Sequence, residues 1–527
     1  MVEVLPVLGS GALPLASIVA IVAIAFVRAL PGIPPIIQEL NNRTLAKAFA
    51  RTMATPGAAS VQLAARIMIE HERCAAGRPG DGEPVFAAGS AHRREPGDGS
   101  AALWSDAGPV PRDDAARWVG RSVPIDRFTD PELRRYIAPM LARVGLQFDE
   151  GDSVGALRTR LDALRLVETV DDHEIQARAL TAIGTVLRRR AFNVVDREMV
   201  ARIERELSRL PPADSPLRAR LLATLALECY DGSADPRCDA KSAAAIAIAR
   251  RLDDLPLLAE TLVARYGATR RPDSIEELAA VGAELVAMDV AHGMRAAGVA
   301  GRLMLISVYT QRFDLAAADA AARECDQLLG RLRLPALQLL HDSWHAARLT
   351  LDASFNAAEQ AYAACAHHQH HLGQVDVDLW FACVRAVLWF QQGRYAEAAE
   401  LLDKHVAAVP WLAHDLRVLA SRDKPSGEWP ALPHDFMGLT AAVVRAEATI
   451  HAGDTREQLA TYNLLRPFAT QLAIGGSSFL PGPVDLYLGR LAGELGRDEA
   501  RRRHLAAAGA ACEHAGLHWW ADRVREA

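Results

Sequence analysis

From about Ala115 to Ala527 apolar residues recur at three- and four-residue spacing, and Gly, Pro or Asp turns punctuate them. This is the text of one amphipathic helix after another. A helix with a single apolar stripe must bury it against a neighbour, so the chain is committed to layers of packed helices. The turns also recur. Gln311-Arg312-Phe313-Asp314, Ala353-Ser354-Phe355-Asn356 and Gln392-Gly393-Arg394-Tyr395 each separate two helical runs, and Ala452-Gly453-Asp454 and Leu495-Gly496-Arg497 continue the series. Their spacing of about 40 residues is that of two antiparallel helices with short connections. No stretch offers the alternating pattern of a sheet. The expected fold is all-α: a right-handed α-solenoid of degenerate helical hairpins over 115–527.

The amino terminus differs in kind. Val4 to Val27 carries no charge, and Leu13 to Val27 is almost wholly apolar. A membrane span needs about 20 such residues, so the run suffices only if it reaches back past Pro14 and Gly11. Arg28, Arg43, Lys47 and Arg51 follow it and no Lys or Arg precedes it. The positive-inside rule then puts the rest of the chain on the cytoplasmic side of a membrane. The competing reading is a buried helix packed by Ile33, Ile36 and Ile37. Residues 1–76 are therefore read as a membrane-anchor segment with amphipathic helices, and the Gly/Pro-rich stretch 77–114 as a flexible linker.

The unit Asp378 to Pro410 resembles a tetratricopeptide repeat. Ala386 and Trp389 lie in the first helix, Gly393 and Tyr395 at the turn, Ala398 and Leu402 in the second, with Pro410 as terminator. Arg385 departs from the pattern, which favours a large apolar residue there. A wider likeness runs through Ala191–Tyr230, Asp239–Arg251, Ile275–Met288, Leu464–Gly489 with its Ile474-Gly475-Gly476 insertion, and His504–Ala527. These segments resemble the helical-repeat region of actinobacterial regulators that carry a STAND-type ATPase and often a LuxR-type helix-turn-helix. The sequence has no G-x-x-x-x-G-K-[ST], so the phosphate cradle of that ATPase is missing. A further departure is Trp411–Asp435, where one helix and a Pro-rich loop stand in place of a helical pair.

Charge and cysteine usage narrow the partners. Net charge is −6, which supplies no global attraction to nucleic acid, and direct nucleic-acid binding is not expected. Arg188-Arg189-Arg190 and Arg501-Arg502-Arg503 read as solvated helix faces. The seven cysteines (Cys74, Cys229, Cys238, Cys325, Cys365, Cys383 and Cys512) are scattered and form no C-x-x-C, which speaks against disulfides and thiolate zinc.

Several residue sets have spacings that could carry chemistry. His367 and His371 share a helix face at i, i+4, with Asp376 or Asp378 as a third ligand, but their place at a helix C-terminus suits solvent and the macrodipole. His341 and His345 share the same spacing without H-E-x-x-H and read as a polar face. Gly151-Asp152-Ser153-Val154-Gly155 matches G-x-S-x-G, yet no strand precedes Ser153, which reads as a helix cap. Glu276-Glu277 and Asp253-Asp254 have nothing to mark them as acid/base couples. Metal, cofactor and catalytic residues are accordingly expected to be none.

What remains is a surface. First helices should build the inner face of the solenoid, with Tyr309, Trp344, Arg348, Trp380 and Phe390 as candidate groove residues. The expected function is a non-enzymatic interaction or signal-sensing scaffold that binds a protein or peptide, with a small-molecule effector as a further partner class. The alternative is a transcriptional regulator subunit working with a separate ATPase or DNA-binding partner.

Overall fold

A computed structural model of the chain describes residues 137–527, apart from 145–146, 148–152, 169, 171, 183–194, 231–235, 333, 373–376 and 422–427. The anchor segment 1–76, the linker 77–114, Cys74 and Arg188–Arg190 lie outside the described residues. No helix among the described residues is long and apolar enough to cross a membrane.

The described chain is mostly helical. In order come α1 Ser153–Val167, α2 His173–Thr181, α3 Arg197–Arg209, α4 Pro216–Glu228, α5 Pro236–Arg251 and α6 Leu255–Ala268. Next are α7 Ile275–His292, α8 Arg295–Gln311, α9 Leu315–Leu329, α10 Pro335–Leu351, α11 Phe355–His371 and α12 Val377–Gln391. Then follow α13 Tyr395–Leu402, α14 Pro410–Ala420, α15 Gly438–Ala452 and α16 Thr455–Leu465. Two strands, β1 Leu472–Gly475 and β2 Phe479–Pro483, precede α17 Val484–Glu494, α18 Asp498–His514 and α19 His518–Glu526.

The chain divides into two compact units, Met1–Gly184 with Ile203–Ala213, and Thr185–Arg202 with Asp214–Ala527. In the smaller unit α1 packs on α2. Asp172 caps α2 by accepting from the backbone N–H of Glu174 at 3.0 Å and of Ile175 at 3.2 Å. Such a cap satisfies donors that the first helical turn leaves orphaned.

In the larger unit alternate helices begin at residues 216, 255, 295, 335 and 377. These are α4, α6, α8, α10 and α12, and α4 touches α6, α6 touches α8, and α8 touches α10. The helices between them pack on both flanking members of the series. The pairing is therefore local and repeated.

One turn chemistry makes the repeat. Phe313, Ala353, Gly393, Gly453 and Gly496 all stand at left-handed φ, between 55° and 72°. The residue after each sends its N–H back five residues: Asp314 to Tyr309 at 2.8 Å, Ser354 to Leu349 at 3.0 Å, Arg394 to Trp389 at 2.9 Å, Asp454 to Thr449 at 3.2 Å and Arg497 to Ala492 at 2.8 Å. This is the Schellman ending, which closes one helix and aims the chain into the next. Asp314 and Asp454 then cap that next helix through Ala317 N and Glu457 N. Asp253 and Gly516 repeat the turn where the sequence pattern had not singled it out.

Three expectations change. Pro410 does not terminate a repeat; it is the first residue of α14, where a missing N–H costs nothing. Arg385 sits where an apolar residue was expected because its guanidinium stacks on Trp389 at 4.3 Å while its Nε donates to Glu359 at 2.9 Å. Thirdly, the helical text is broken by an antiparallel hairpin, pairing Leu472 with Pro483, Ala473 with Gly482 and Gly475 with Phe479. Every residue of both strands is buried. A ribbon covered on both faces reads as a continuous apolar run, so it lacks the alternation that marks a half-exposed strand.

Candidate functional site

The candidate groove residues lie on α8, α10 and α12. The hairpin packs on the same helices: β1 on α8 and α15, and β2 on α10, α12 and α15. Side chains from the helices hold the hairpin through its backbone. The Tyr362 hydroxyl donates to the Ser478 carbonyl, and Gln391 Nε2 donates to the Leu480 carbonyl. Gln311 Nε2 reaches Gln471 Oε1 at 2.8 Å, at the foot of β1.

The open end of the hairpin has further anchors. Gly482, at φ 121°, lies so close to Trp520 that a Cβ there would stand 2.3 Å from the indole ring. Asp485 receives the Thr470 N–H at 2.7 Å on one oxygen and His504 Nδ1 at 2.6 Å on the other. Against an ionised carboxylate, which can only accept, His504 Nδ1 is the donor, and the Nε2 on the other side of the ring lies 3.2 Å from the Tyr462 hydroxyl. This buried Tyr-His-Asp chain fixes the approach to β1 and is closed to solvent.

The five candidate groove residues fall into different environments. Trp344 is buried, with Nε1 donating to Thr310 Oγ1 at 3.3 Å. Trp380 is buried edge-on to Tyr362, and Phe390 is buried against Tyr395. Arg348 is half-buried and ion-paired with Asp319 at 3.2 Å and Asp352 at 2.6 Å. Tyr309 alone of the aromatics is half-exposed. Large aromatic side chains gain most by leaving water, and Trp344, Trp380 and Phe390 are packed among their neighbours accordingly.

The histidines are sorted as well. His367 and His371 are exposed with rings 5.0 Å apart, and His370 Nε2 lies 3.1 Å from Asp378 Oδ1. Asp376 is outside the described residues. The other pair behaves differently. His341 on α10 is 1% exposed, His345 one turn on is exposed, and both turn toward Asp326 near the end of α9. His341 Nε2 is 2.6 Å from Asp326 Oδ1, His345 Nε2 is 3.6 Å from the same oxygen, and the two Nε2 atoms are 3.1 Å apart.

Burial pushes the His341 imidazole below its ordinary value, against the Asp326 hydrogen bond, which works to raise it. Burial alone would raise the Asp326 carboxyl, but the His341 hydrogen bond and the two imidazoles hold it below its ordinary value. Among the described residues this trio forms the one group of His, Cys, Asp or Glu with donor atoms converging tightly enough for an ion. The i, i+4 spacing was legible in the sequence. Asp326 was not, because it comes from the preceding helix and only the fold brings it round.

The remaining motifs resolve as scaffold. Glu276 pairs with Arg312, Glu277 with Arg265, and Asp254 caps α6 at Leu257 N. Ser153 opens α1, and its side chain and the residues just before it are outside the described ones. Arg501, Arg502 and Arg503 are exposed. Among the described residues no two cysteines form a disulfide, and burial pushes the Cys325 and Cys512 thiols up to about 12. No protein-family model and no curated protein matches the chain.

Proposed function

We propose that the chain is a non-catalytic binding scaffold: a right-handed α-solenoid of tetratricopeptide-like hairpins, tethered to the cytoplasmic face of a membrane by its N-terminal segment. The observation that carries this reading is the succession of helices α4, α6, α8 and α10, each touching the next, with the intervening helices packed on both neighbours. Such stacking builds one extended surface from many short stripes. The seating of the hairpin adds the chemistry. Tyr362 and Gln391 already donate to the carbonyls of the chain's own hairpin, an internal instance of the backbone recognition by which a groove holds an extended peptide. The partner class is a protein or peptide, with a small molecule as a co-effector. The resemblance to the repeat region of STAND-type regulators adds a second role, as the sensing subunit for a separate ATPase or DNA-binding protein.

The test is fractionation and pull-down from native membranes, comparing the full chain with a fragment starting near Ala115. The full chain should sediment with membranes, the fragment should be soluble, and both should recover the same stoichiometric partner. Equal solubility would remove the tether. Recovery of no shared partner would remove the scaffold.

A further inference from the structure

We infer that Asp326, His341 and His345 form a binding site for one divalent first-row transition-metal ion, set between α9 and α10. Three observations converge on it. The donor atoms stand 2.6, 3.1 and 3.6 Å apart. Ligands bound to a common ion at about 2.0–2.2 Å are themselves separated by about 3 Å, so one ion can touch all three with little movement.

The second observation is a proton count. A neutral imidazole carries one N–H. If His341 Nε2 donates to Asp326, it has no lone pair left for His345; if it accepts from His345, it cannot donate to Asp326. A single Nε2–H can serve both contacts only as a shared three-centre bond, weaker to each partner than a linear one. A cation satisfies both and takes the carboxylate as well.

The third is burial. His341 Nδ1 lies in the core without a hydrogen-bond partner, so this imidazole has only Nε2 to offer outward. Asp326 and His345 are exposed, which gives an ion its entry path and leaves its remaining positions to water or to a group from a partner.

Two imidazoles and one carboxylate are a borderline-to-hard donor set, matched to zinc, nickel, cobalt or copper(II) rather than to calcium or magnesium. The ion would join the second helix of one pair to the first helix of the next, across the connection between Gly330 and Pro335. It would act as a crosslink with open coordination positions.

The experiment uses the untagged full chain, stripped with a chelator and titrated with Zn2+ by calorimetry and with Co2+ by visible absorption. One high-affinity ion per chain is expected, with the Co2+ ligand-field bands of a nitrogen and oxygen site. His345→Ala and Asp326→Asn, both at exposed positions, should each lose that ion while circular dichroism shows the helices retained. A His367→Ala/His371→Ala double variant should bind as the wild type does. The inference is overturned if the wild type takes up no ion, if His345→Ala binds unchanged, or if the double variant is the one that loses binding.

Discussion

Arg445 Nε lies 2.9 and 2.8 Å from the two carboxylate oxygens of Asp415, and both side chains are shut away from solvent. The remaining guanidinium nitrogens reach Glu457 at 2.9 Å and the Pro430 carbonyl at 2.8 Å, and the Trp429 ring lies 4.9 Å from the cation. One buried cation thus ties α14 and α16 to the loop that replaces the expected helical partner of α14. That loop ends are anchored again by Trp429 Nε1 donating to Asp454. Breaking such a pair leaves an uncompensated charge in the interior, which costs about 3–5 kcal/mol. Asp415→Ala should lose that much in denaturant unfolding, and an Asp415→Leu/Arg445→Met double variant should recover most of it. A single variant within experimental error of the wild type would refute the arrangement.

The repeated left-handed turn gives a paired prediction. Nothing lies within 4 Å of a Cβ placed on Gly393, so Gly393→Ala meets only the backbone cost of φ 72°. That cost is about 1–2 kcal/mol for an L-residue. Ala353 already bears it at φ 55°, so Ala353→Gly should gain about 1 kcal/mol. Chemical denaturation of the two variants should move in opposite directions.

The hairpin depends on a close approach. A methyl on Gly482 would collide with Trp520, and overpacking of this kind costs about 1–3 kcal/mol. Gly482→Ala should shift the tryptophan emission and raise amide exchange over 472–483, leaving α4 to α7 protected as before. Unchanged exchange in the hairpin would rule out this anchoring role for Trp520.

A pH dependence follows from Glu447, which is buried in α15 and accepts from Arg490. Burial pushes its carboxyl above the ordinary value of 4.5, while Arg490 and Arg523 pull it down. A group that holds its proton more tightly when folded stabilises most below its unfolded pKa and loses that contribution as pH rises. The wild type should therefore lose stability relative to Glu447→Gln as pH climbs above the ordinary value of 4.5. A difference independent of pH would mean that Glu447 titrates alike in both states.

Much of the larger unit was legible because its pattern is local. The apolar period, the turn at Phe313 and the turn at Gly393 are each set by residues within one helical pair, and they appear in the structure where the sequence places them. What was hidden is what crosses between pairs. Leu472 and Phe479 sit in strands whose apolar text is equally that of a buried helix. Trp344, Trp380 and Phe390 lie on the expected helices, but periodicity does not say which neighbour covers them. His341 and Asp326 meet only because α10 folds back beside α9.

A row of repeats usually answers only to the units on either side, so that its stability is nearly a sum of adjacent terms and its ends can peel away singly. Here the ribbon before α17 is bound to residues far upstream: Gln311 to Gln471 across 160 positions, and Tyr362 to Ser478 across 116. The late segment works as a clasp across the helices it touches. Heat or truncation at the carboxyl end would not shed the last pair in isolation; it would open the clasp and release α8 through α15 together.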